Sequence, residues 1–288
     1  SGMFAFIKQR PYDIVADPTV APRAIFVSAF DTNPLAPDFE LALKGEEANF
    51  QTGLDALAKI AKTYLSISVN QKAVALTQAK NVTLTVFDGP HPAGNVGVQI
   101  NNIAPINKGE TVWTIDPQAV IFIGRLFNTG HVDLTRLVAV TGSEVKKPSY
   151  CKLKVGALLT NVFAGNVSTD KNLRYISGNV LTGKQITANG FLGAFHSQVT
   201  VIPEGDDVHE MLGWIMPRFD QFSTSHSYFS WLMGKKEYTL DARVKGGERH
   251  MIMSNEYDRV LPMDIMPEYL IKAIIAGDID RMEALGIY

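Results

Sequence analysis

The stretch VFDGPHPAGNVGV, Val86–Val98, places a loop rich in proline and glycine directly after an apolar segment. The preceding residues VTLTVF (82–87) alternate, with Val82, Leu84 and Val86 on one face, which predicts a β-strand. Ligands of open α/β sheets bind in the loops beyond the carboxyl ends of such strands. The segments on both sides of this loop therefore decide whether it belongs to an α/β sheet and whether it can bind a ligand.

Strands and helices alternate on both sides of the loop through the first half of the chain. An amphipathic helix is predicted over 46–62, and a later helix from Asp116 as N-cap and Pro117 in the first turn to a stop at Gly130. The further predicted strands are AIFVSA (24–29), YLSISV (64–69) and TVWTI (111–115), and a short helix is predicted over 71–80. This order predicts a Rossmann-like domain over 23–135, with a parallel, doubly wound sheet.

The remaining segments differ in their pattern of predicted strands and helices. The predicted class is therefore α/β plus α+β in a multidomain chain. Proline-punctuated residues 1–22 are predicted to form an irregular linker or arm. The other predicted segments are a compact α+β domain over 136–186, a mostly β segment over 187–254 and truncated C-terminal helices over 255–288.

Composition excludes several classes of function. Lysine and arginine (27) nearly balance aspartate and glutamate (29) and form no conspicuous cluster, which argues against nucleic acid as a partner. The single cysteine, Cys151, cannot form an internal disulfide or an iron–sulfur cluster, and its spacing predicts a strand residue on the core face with Leu153 and Val155. The longest apolar runs are too short to span a bilayer, so no transmembrane segment is expected.

The loop after Phe87 does not match a phosphate-binding fingerprint. Gly89, Gly94 and Gly97 do not follow the G-x-G-x-x-G order, and Pro90 and Pro92 each remove a backbone donor. The sequence therefore disfavours a nucleotide cradle at this position.

Two further sets of residues are candidates for a ligand site. Asp31 and Asn33, in AFDTNPLAPD (29–38), could contact a ligand or form Asx-type turns before the prolines. Of six histidines none forms an i, i+4 pair, so no metal site is expected, and His91 and His196 remain ligand or structural residues.

Aromatic residues cluster late in the chain. Trp214, Trp231 and the stretch FSTSHSYFSWLM (222–233) fit a partner surface, since such residues are enriched at interfaces, or equally a core.

Several motifs together resemble the NqrA family, the A-type subunits of the sodium-translocating NADH:quinone oxidoreductase or Nqr complex. They are DGPHPAG, LVAVTGSEVKKP, YISGNVLTG, FHSQVTVIPEG, GWIMP and NEYDRVLPMDIMP. The family is distantly similar to the electron-entry subunit of Rnf complexes, RnfC, and to the flavin subunit of respiratory complex I. This resemblance implies a β-grasp domain of the soluble-ligand-binding (SLBB) type over 136–186.

The resemblance also implies what this chain lacks. Its relatives carry flavin loops where IFVSAFDTNPLAPD and FDGPHPAG stand, and cluster cysteines in the region of Asn255, Tyr257 and Pro262. The expectation is therefore a subunit with no tightly bound cofactor, while flavins and an iron–sulfur centre reside on other subunits of the holo-complex. Since the chain does not begin with methionine, we expect it to be an internal fragment.

The family implies sodium transport, NADH and ubiquinone chemistry, and a peripheral place on the cytoplasmic face of the bacterial inner membrane with the other Nqr subunits as partners. The expected role is assembly together with quinone binding at the former flavin cleft, and the isolated chain is not expected to be catalytic. The predicted quinone contacts are Asp31, Asn33, Phe87, His91 and Gly94. The alternatives are a flavin-binding electron-transfer module and a pure docking scaffold.

Overall fold

The computed structural model describes residues 2–209, 211–223, 225–244 and 250–288. The backbone divides into two compact units, one comprising residues 1–136 and 250–288 and the other residues 137–249. Each unit is built on a mixed β-sheet, so the mixed α/β class predicted from the sequence is confirmed at this level.

The sheet of the first unit has six strands. In chain order they are β1 (Ile7–Arg10), β2 (Ile14–Val15), β3 (Ile25–Ser28), β4 (Thr63–Ser68), β5 (Thr83–Phe87) and β6 (Val112–Ile115). Their spatial order is β2-β1-β6-β3-β4-β5, and β6, β3, β4 and β5 run parallel. The predicted strands are thus confirmed, but the sheet is mixed, because β1 pairs antiparallel with β6 and with β2.

The N-terminal segment corrects one prediction from the sequence. Residues 1–22 were expected to be irregular, yet they contain a 3₁₀ helix (Met3–Phe6) and the first two strands. Ile7 and Gln9 are buried on one face of β1, but four residues are too few for this alternation to be recognised in the sequence. Pro11 lies in the turn between β1 and β2. It therefore ends β1 but does not prevent strands on either side of it.

Helices lie on both faces of this sheet. The unit's first five helices are α1 (Phe39–Leu43), α2 (Glu47–Ala58), α3 (Val74–Thr77), α4 (Val96–Ile103) and α5 (Pro117–Thr129). Ile100 of α4 packs with Phe26 and Val112 on one face, whereas α2 and α5 pack together on the other. The predicted start and stop of α5 are confirmed: Asp116 accepts hydrogen bonds from the N–H groups of Gln118 and Ala119, and Gly130 ends the helix in the left-handed conformation.

The contact between α2 and α5 depends on two glycines. A Cβ on Gly124 would lie 1.7 Å from the carbonyl oxygen of Asn49, and one on Gly53 would lie 2.2 Å from that of Val120. The two helix backbones therefore approach more closely than any side chain at these positions permits.

The second unit has a five-stranded sheet. Its strands are β7 (Thr135–Thr141), β8 (Ser149–Lys154), β9 (Leu173–Ser177), β10 (Lys184–Ile186) and β11 (Gln198–Pro203), in the spatial order β10-β9-β11-β7-β8, with the short helix α6 (Thr160–Phe163). Val138, Val140, Leu159, Val199 and Val201 form the centre of its core. Cys151 and Leu153 pack against this core, as the alternation of β8 predicted.

The segment 187–254 corrects a second prediction. Of its described residues only β11 forms a strand, while Gly213–Ile215 and Phe229–Met233 are 3₁₀ helices. The predicted β character came from closely spaced aromatic and branched residues, but the described part of the chain supplies no partner strand for them. Residues 210, 224 and 245–249 of this segment lie outside the described residues.

The C-terminal residues form two helices that belong to the first unit. They are α7 (Pro267–Ala276), which ends at Gly277, and α8 (Ile279–Ala284), as the sequence predicted. Within the described ranges of the chain, no helix combines the length and apolarity required to cross a bilayer.

Candidate functional site

The candidate site is formed by two loops at the carboxyl edge of the parallel strands. One comprises residues 29–38 after β3 and the other residues 88–95 after β5. We call these two loops the edge loops. Because β3 and β5 run parallel in one sheet, their carboxyl ends lie at the same edge, as expected from the sequence.

Thr32 joins the edge loops. Its Oγ1 accepts a hydrogen bond from the backbone N–H of Gly94 at 3.0 Å and lies 3.2 Å from Nδ1 of His91. The structure therefore brings His91 and Gly94, both predicted site residues, to the tip of the first loop. Thr32 itself was missed, because a single threonine carries no local signal of a partner about 60 positions away.

Gly94 is required for the close approach of the loops. A Cβ at this position would lie 2.6 Å from the nitrogen and 2.8 Å from Oγ1 of Thr32, distances that side chains do not tolerate. The glycine therefore serves contact between two protein loops, which is a different use from the backbone cradle of a phosphate site.

Asp31 and Asn33 form a turn within the first loop. Oδ1 of Asp31 accepts hydrogen bonds from the backbone N–H of Asn33 at 2.8 Å and from its side-chain Nδ2 at 2.6 Å. The Asx-turn alternative of the sequence analysis thus describes the local geometry. Asp31 remains exposed to solvent, and Asn33 is half-buried.

Phe87, the last residue of β5, packs against Phe30 of the first edge loop. The ring centroids lie 6.4 Å apart with the planes tilted by 33°, and both side chains are half-buried. Such a pair presents partly exposed ring surface beside the hydrogen-bonding groups of the loops.

A buried amide supports the edge loops from below. Gln99 of α4 is fully buried, and its Nε2 donates to Ser28 Oγ at 2.8 Å and to the carbonyl oxygen of Ala93 at 3.2 Å. Its Oε1 has no hydrogen-bond partner among the described protein atoms. Gln99 and Ser28 were not predicted from the sequence, since each reads locally as an ordinary polar residue in a helix or strand.

The contact of His91 with Thr32 permits the imidazole tautomer that carries its proton on Nε2. The Thr32 hydroxyl accepts from Gly94, and its own proton can be donated to Nδ1 of His91. A neutral imidazole that accepts through Nδ1 carries its proton on Nε2. His91 is exposed, and in the described part of the chain no group hydrogen-bonds to Nε2, so this N–H can serve as a donor to a ligand.

Three backbone donors of the second edge loop are bonded within the protein. The N–H of Ala93 bonds to the carbonyl of Pro90, that of Asn95 to the carbonyl of Pro92, and that of Gly94 to Thr32. A phosphate cradle needs several free, convergent N–H groups. These bonds, and the missing N–H groups of Pro90 and Pro92, count against a nucleotide site at this loop.

The other candidate residues have structural contacts. His196 lies 2.8 Å through Nδ1 from Oγ of the buried Ser177, which also accepts the N–H of Gly193. Burial raises the pKa of the Cys151 thiol, which disfavours a reactive thiolate. Among the residues with described positions, no group of three or more His, Cys, Asp or Glu side chains could hold a metal ion.

The late aromatic stretch is exposed rather than part of a core. Phe222, Phe229 and Trp231 are each about half exposed, so the partner-surface alternative fits these residues better than burial does. The side chain of Trp214 lies outside the described parts of the molecule.

Comparisons with known proteins agree in naming one family. The family model of the NqrA second alpha/beta domain matches residues 1–132, and that of the NQRA C-terminal domain matches residues 137–188. The chain is 37% identical over 289 residues to the Na(+)-translocating NADH-quinone reductase A-subunit of Yersinia pestis bv. Antiqua (strain Angola), and 38% identical over 288 residues to that of Neisseria meningitidis serogroup C / serotype 2a. Each alignment covers 99% of this chain and 64% of the relative, so the chain spans less than two thirds of the length of these relatives.

One solved structure with a partial likeness is the NAD+-reducing NiFe-hydrogenase in the air-oxidised state. The TM-score is 0.43 at 16% sequence identity, and the match covers 67% of this chain and 41% of that chain.

Proposed function

Because the chain belongs to the NqrA family, the A-subunits of the Na(+)-translocating NADH-quinone reductase, we propose that it serves a sodium-pumping NADH:quinone oxidoreductase as a peripheral subunit. In this proposal it lies at the cytoplasmic face of the bacterial inner membrane and its partners are the other subunits of the complex. It has no tightly bound redox cofactor, and electrons are carried by flavins and an iron–sulfur centre on those other subunits.

The proposal assigns a Rossmann-like fold to residues 23–135 and a β-grasp fold to residues 136–186. The parallel order β6-β3-β4-β5, with helices on both faces, supports the first assignment. The boundary between the two family models, which falls between residues 132 and 137, supports the division.

The role that the geometry supports best is quinone binding at the edge loops. The observation that carries it is the contact between Thr32 and Nδ1 of the exposed His91, which leaves Nε2 of the ring to meet a ligand. A quinone head group is a flat ring with carbonyl oxygens that accept hydrogen bonds, so it needs an apolar surface and one or two donors. The Phe30–Phe87 pair offers the apolar surface, and His91 offers a donor.

Asp31, Asn33 and Gly94 complete the proposed site in different ways. Asn33 is held by Asp31 and keeps an amide group at the loop surface, while Gly94 holds the two loops together. The exposed carboxylate of Asp31 would repel an anionic phosphate but not an uncharged quinone.

The same features count against the flavin-binding alternative. A flavin nucleotide would need phosphate donors, and the N–H groups of residues 93–95 are already bonded within the protein. We therefore expect the purified chain to be colourless. Flavin absorbance that survives gel filtration would overturn this part of the proposal.

Titration of the chain with a short-chain, water-soluble ubiquinone tests the quinone site. We expect chemical-shift changes in NMR spectra at the Gly94 amide and at the His91 ring, with His131 as an exposed histidine outside the site. The variant H91N should weaken the response, and H131N should leave it unaltered. Shifts confined to residues outside 29–38 and 87–95, or no shifts at all, would contradict the proposed site.

A docking scaffold is the second candidate, favoured by the exposed aromatic stretch 222–233. In that case the protein would contribute assembly alone. The double variant F229S/W231S in the full-length protein should then reduce co-purification of the partner subunits without altering the quinone titration. Intact assembly of this variant would argue against the scaffold role of the stretch.

A further inference from the structure

Positive charge is concentrated in one part of the second unit, residues 137–188. Residues 137–188 contain seven lysine or arginine residues and only two acidic ones, although the whole chain has a net charge of −2. One of the acids, Glu144, is buried and already paired with Lys171. The basic residues are spaced along this range and form no long run.

Strand β8 displays this charge at the edge of its sheet. Cys151 and Leu153 face the core, whereas Lys152 and Lys154 alternate with them and are exposed. Lys146 and Lys147 lie exposed in the loop that leads into the strand. These four lysines have no ion-pair partner among the described residues. Since β8 has about 20 Å of length, they extend along one edge rather than around a point.

Two exposed apolar side chains, Leu158 and Phe191, lie beyond the lysines in the chain. Leu158 and Phe191 lie opposite each other in an antiparallel bridge, held by hydrogen bonds from Leu159 N–H to the Gly190 carbonyl and from Leu192 N–H to the Ala157 carbonyl, both 2.9 Å. Their side chains are 50% and 63% exposed. The bridge therefore holds two large apolar side chains in contact with solvent. Leu158 follows Lys154 by four positions in the chain.

We propose that Lys146, Lys147, Lys152, Lys154, Leu158 and Phe191 form a contact surface for a bilayer that contains anionic phospholipids. Ammonium groups attract phosphate headgroups, and exposed leucine and phenylalanine side chains enter the interfacial region. Lysines on an edge strand can also serve only to prevent strand pairing. That role does not account for Lys146 and Lys147, which precede the strand, or for the apolar pair.

Contact with lipid would explain how a peripheral subunit meets the membrane, so the biological context of this proposal rests on the proposed function. It does not depend on the edge loops, which belong to the first unit. An assay with lipid vesicles, without quinone or partner subunits, therefore separates this proposal from the quinone site and from assembly.

The experiment is sedimentation of the full chain with vesicles of phosphatidylcholine alone or of equal parts phosphatidylcholine and phosphatidylglycerol. We expect binding to the anionic vesicles that weakens as salt is raised. K152Q/K154Q should lower the partition coefficient roughly twenty-five-fold, since each lysine near an anionic surface contributes about fivefold. K44Q/K59Q, which removes two exposed lysines of the first unit, is the matched control and should bind as the unaltered chain does.

The apolar pair has its own control. F191S should weaken binding to anionic vesicles, whereas F127S, at a phenylalanine that is 66% exposed in α5, should not. Circular dichroism and thermal unfolding verify that each variant is folded. Equal loss in the control and test variants, or equal binding to both kinds of vesicle, would overturn the proposal. So would absence of vesicle binding with retention on immobilised polyglutamate, which would identify an acidic protein as the partner.

Discussion

Thr32 and Gly94 form a contact between two loops that lie 62 positions apart in the chain, with Oγ1 of Thr32 at 3.0 Å from the nitrogen of Gly94. The absence of a side chain on Gly94 allows this distance, and the hydroxyl of Thr32 satisfies the N–H that the approach would otherwise bury. The pair therefore determines how the edge loops are closed and how His91 is held.

The variant T32V should open the edge loops. Valine keeps the shape of the side chain but offers no acceptor to Gly94 N–H and no donor to His91. We expect a loss of about 1 kcal/mol in the free energy of unfolding and faster hydrogen exchange at the Gly94 amide. T32S keeps the hydroxyl and should retain slow exchange. Equal exchange rates in T32V and the unaltered chain would show that the contact does not protect this amide.

The variant G94A should be destabilising, whereas G97A should not. The added Cβ at position 94 meets the Thr32 backbone, so the loops must separate, at a cost of about 1–3 kcal/mol. At position 97, in α4, the Cβ meets nothing within 4 Å, and the change should stabilise the helix by about 0.5–1 kcal/mol. Urea unfolding of both variants measures the difference. Similar midpoints for the two would contradict the close approach seen at Gly94.

The parts of the fold that could be predicted have local causes. The parallel strand β3 appears as a short apolar run because both of its faces are buried, and α5 has its Asp116 cap and Gly130 stop in the sequence itself. The orientation of Cys151 toward the core could also be predicted, because it follows from the alternation of side chains along β8.

The parts that could not be predicted depend on distant partners. β1 is a strand because it pairs antiparallel with β6, which lies about 100 residues later in the chain. Its four residues form too short a pattern for the strand to be predicted from the sequence. The contacts of Thr32 and Gln99 at the site are of the same kind, since each partner is distant or belongs to another element. Conversely, residues such as Phe219 and Phe222 have strand-forming side chains but no partner strand in the described regions.

The thiol of Cys151 should be alkylated slowly in the folded chain. Burial raises its pKa above the ordinary value of 9.0, so the reactive thiolate is scarcer at neutral pH than in the unfolded chain. We expect iodoacetamide to modify the folded chain more slowly than the chain in urea at the same pH. In C151S/S149C the only thiol moves to an exposed position of the same strand, and its rate should approach that of the unfolded chain. Equal rates for the two folded proteins would contradict the protective effect of burial.

The contact between Lys108 and α8 should depend on pH at both ends of the scale. Lys108 Nζ lies 2.6 Å from Oε2 of Glu283, whose other oxygen accepts the Tyr288 hydroxyl at 2.7 Å. The hydrogen bond from Lys108, followed by that from Tyr288, lowers the pKa of Glu283, and the hydrogen bond to Glu283 raises the pKa of both Lys108 and Tyr288. The contribution of Glu283 is therefore present above its ordinary value of 4.5 and lost as pH falls through its lowered pKa.

For Tyr288 the sign is reversed. Its contribution is present below the ordinary value of 10.0 and is lost as pH rises through the raised pKa. The variant E283Q removes the acceptor charge, so the pKa of Tyr288 should fall toward the ordinary value. NMR titration of ¹³C-labelled tyrosine, with the Tyr288 signal assigned by its loss in Y288F, measures this shift. Because these groups are at the surface, added salt should weaken the charge interaction and reduce the difference between E283Q and the unaltered chain. An unchanged Tyr288 titration in E283Q would mean that Glu283 does not hold the C-terminal residue in solution.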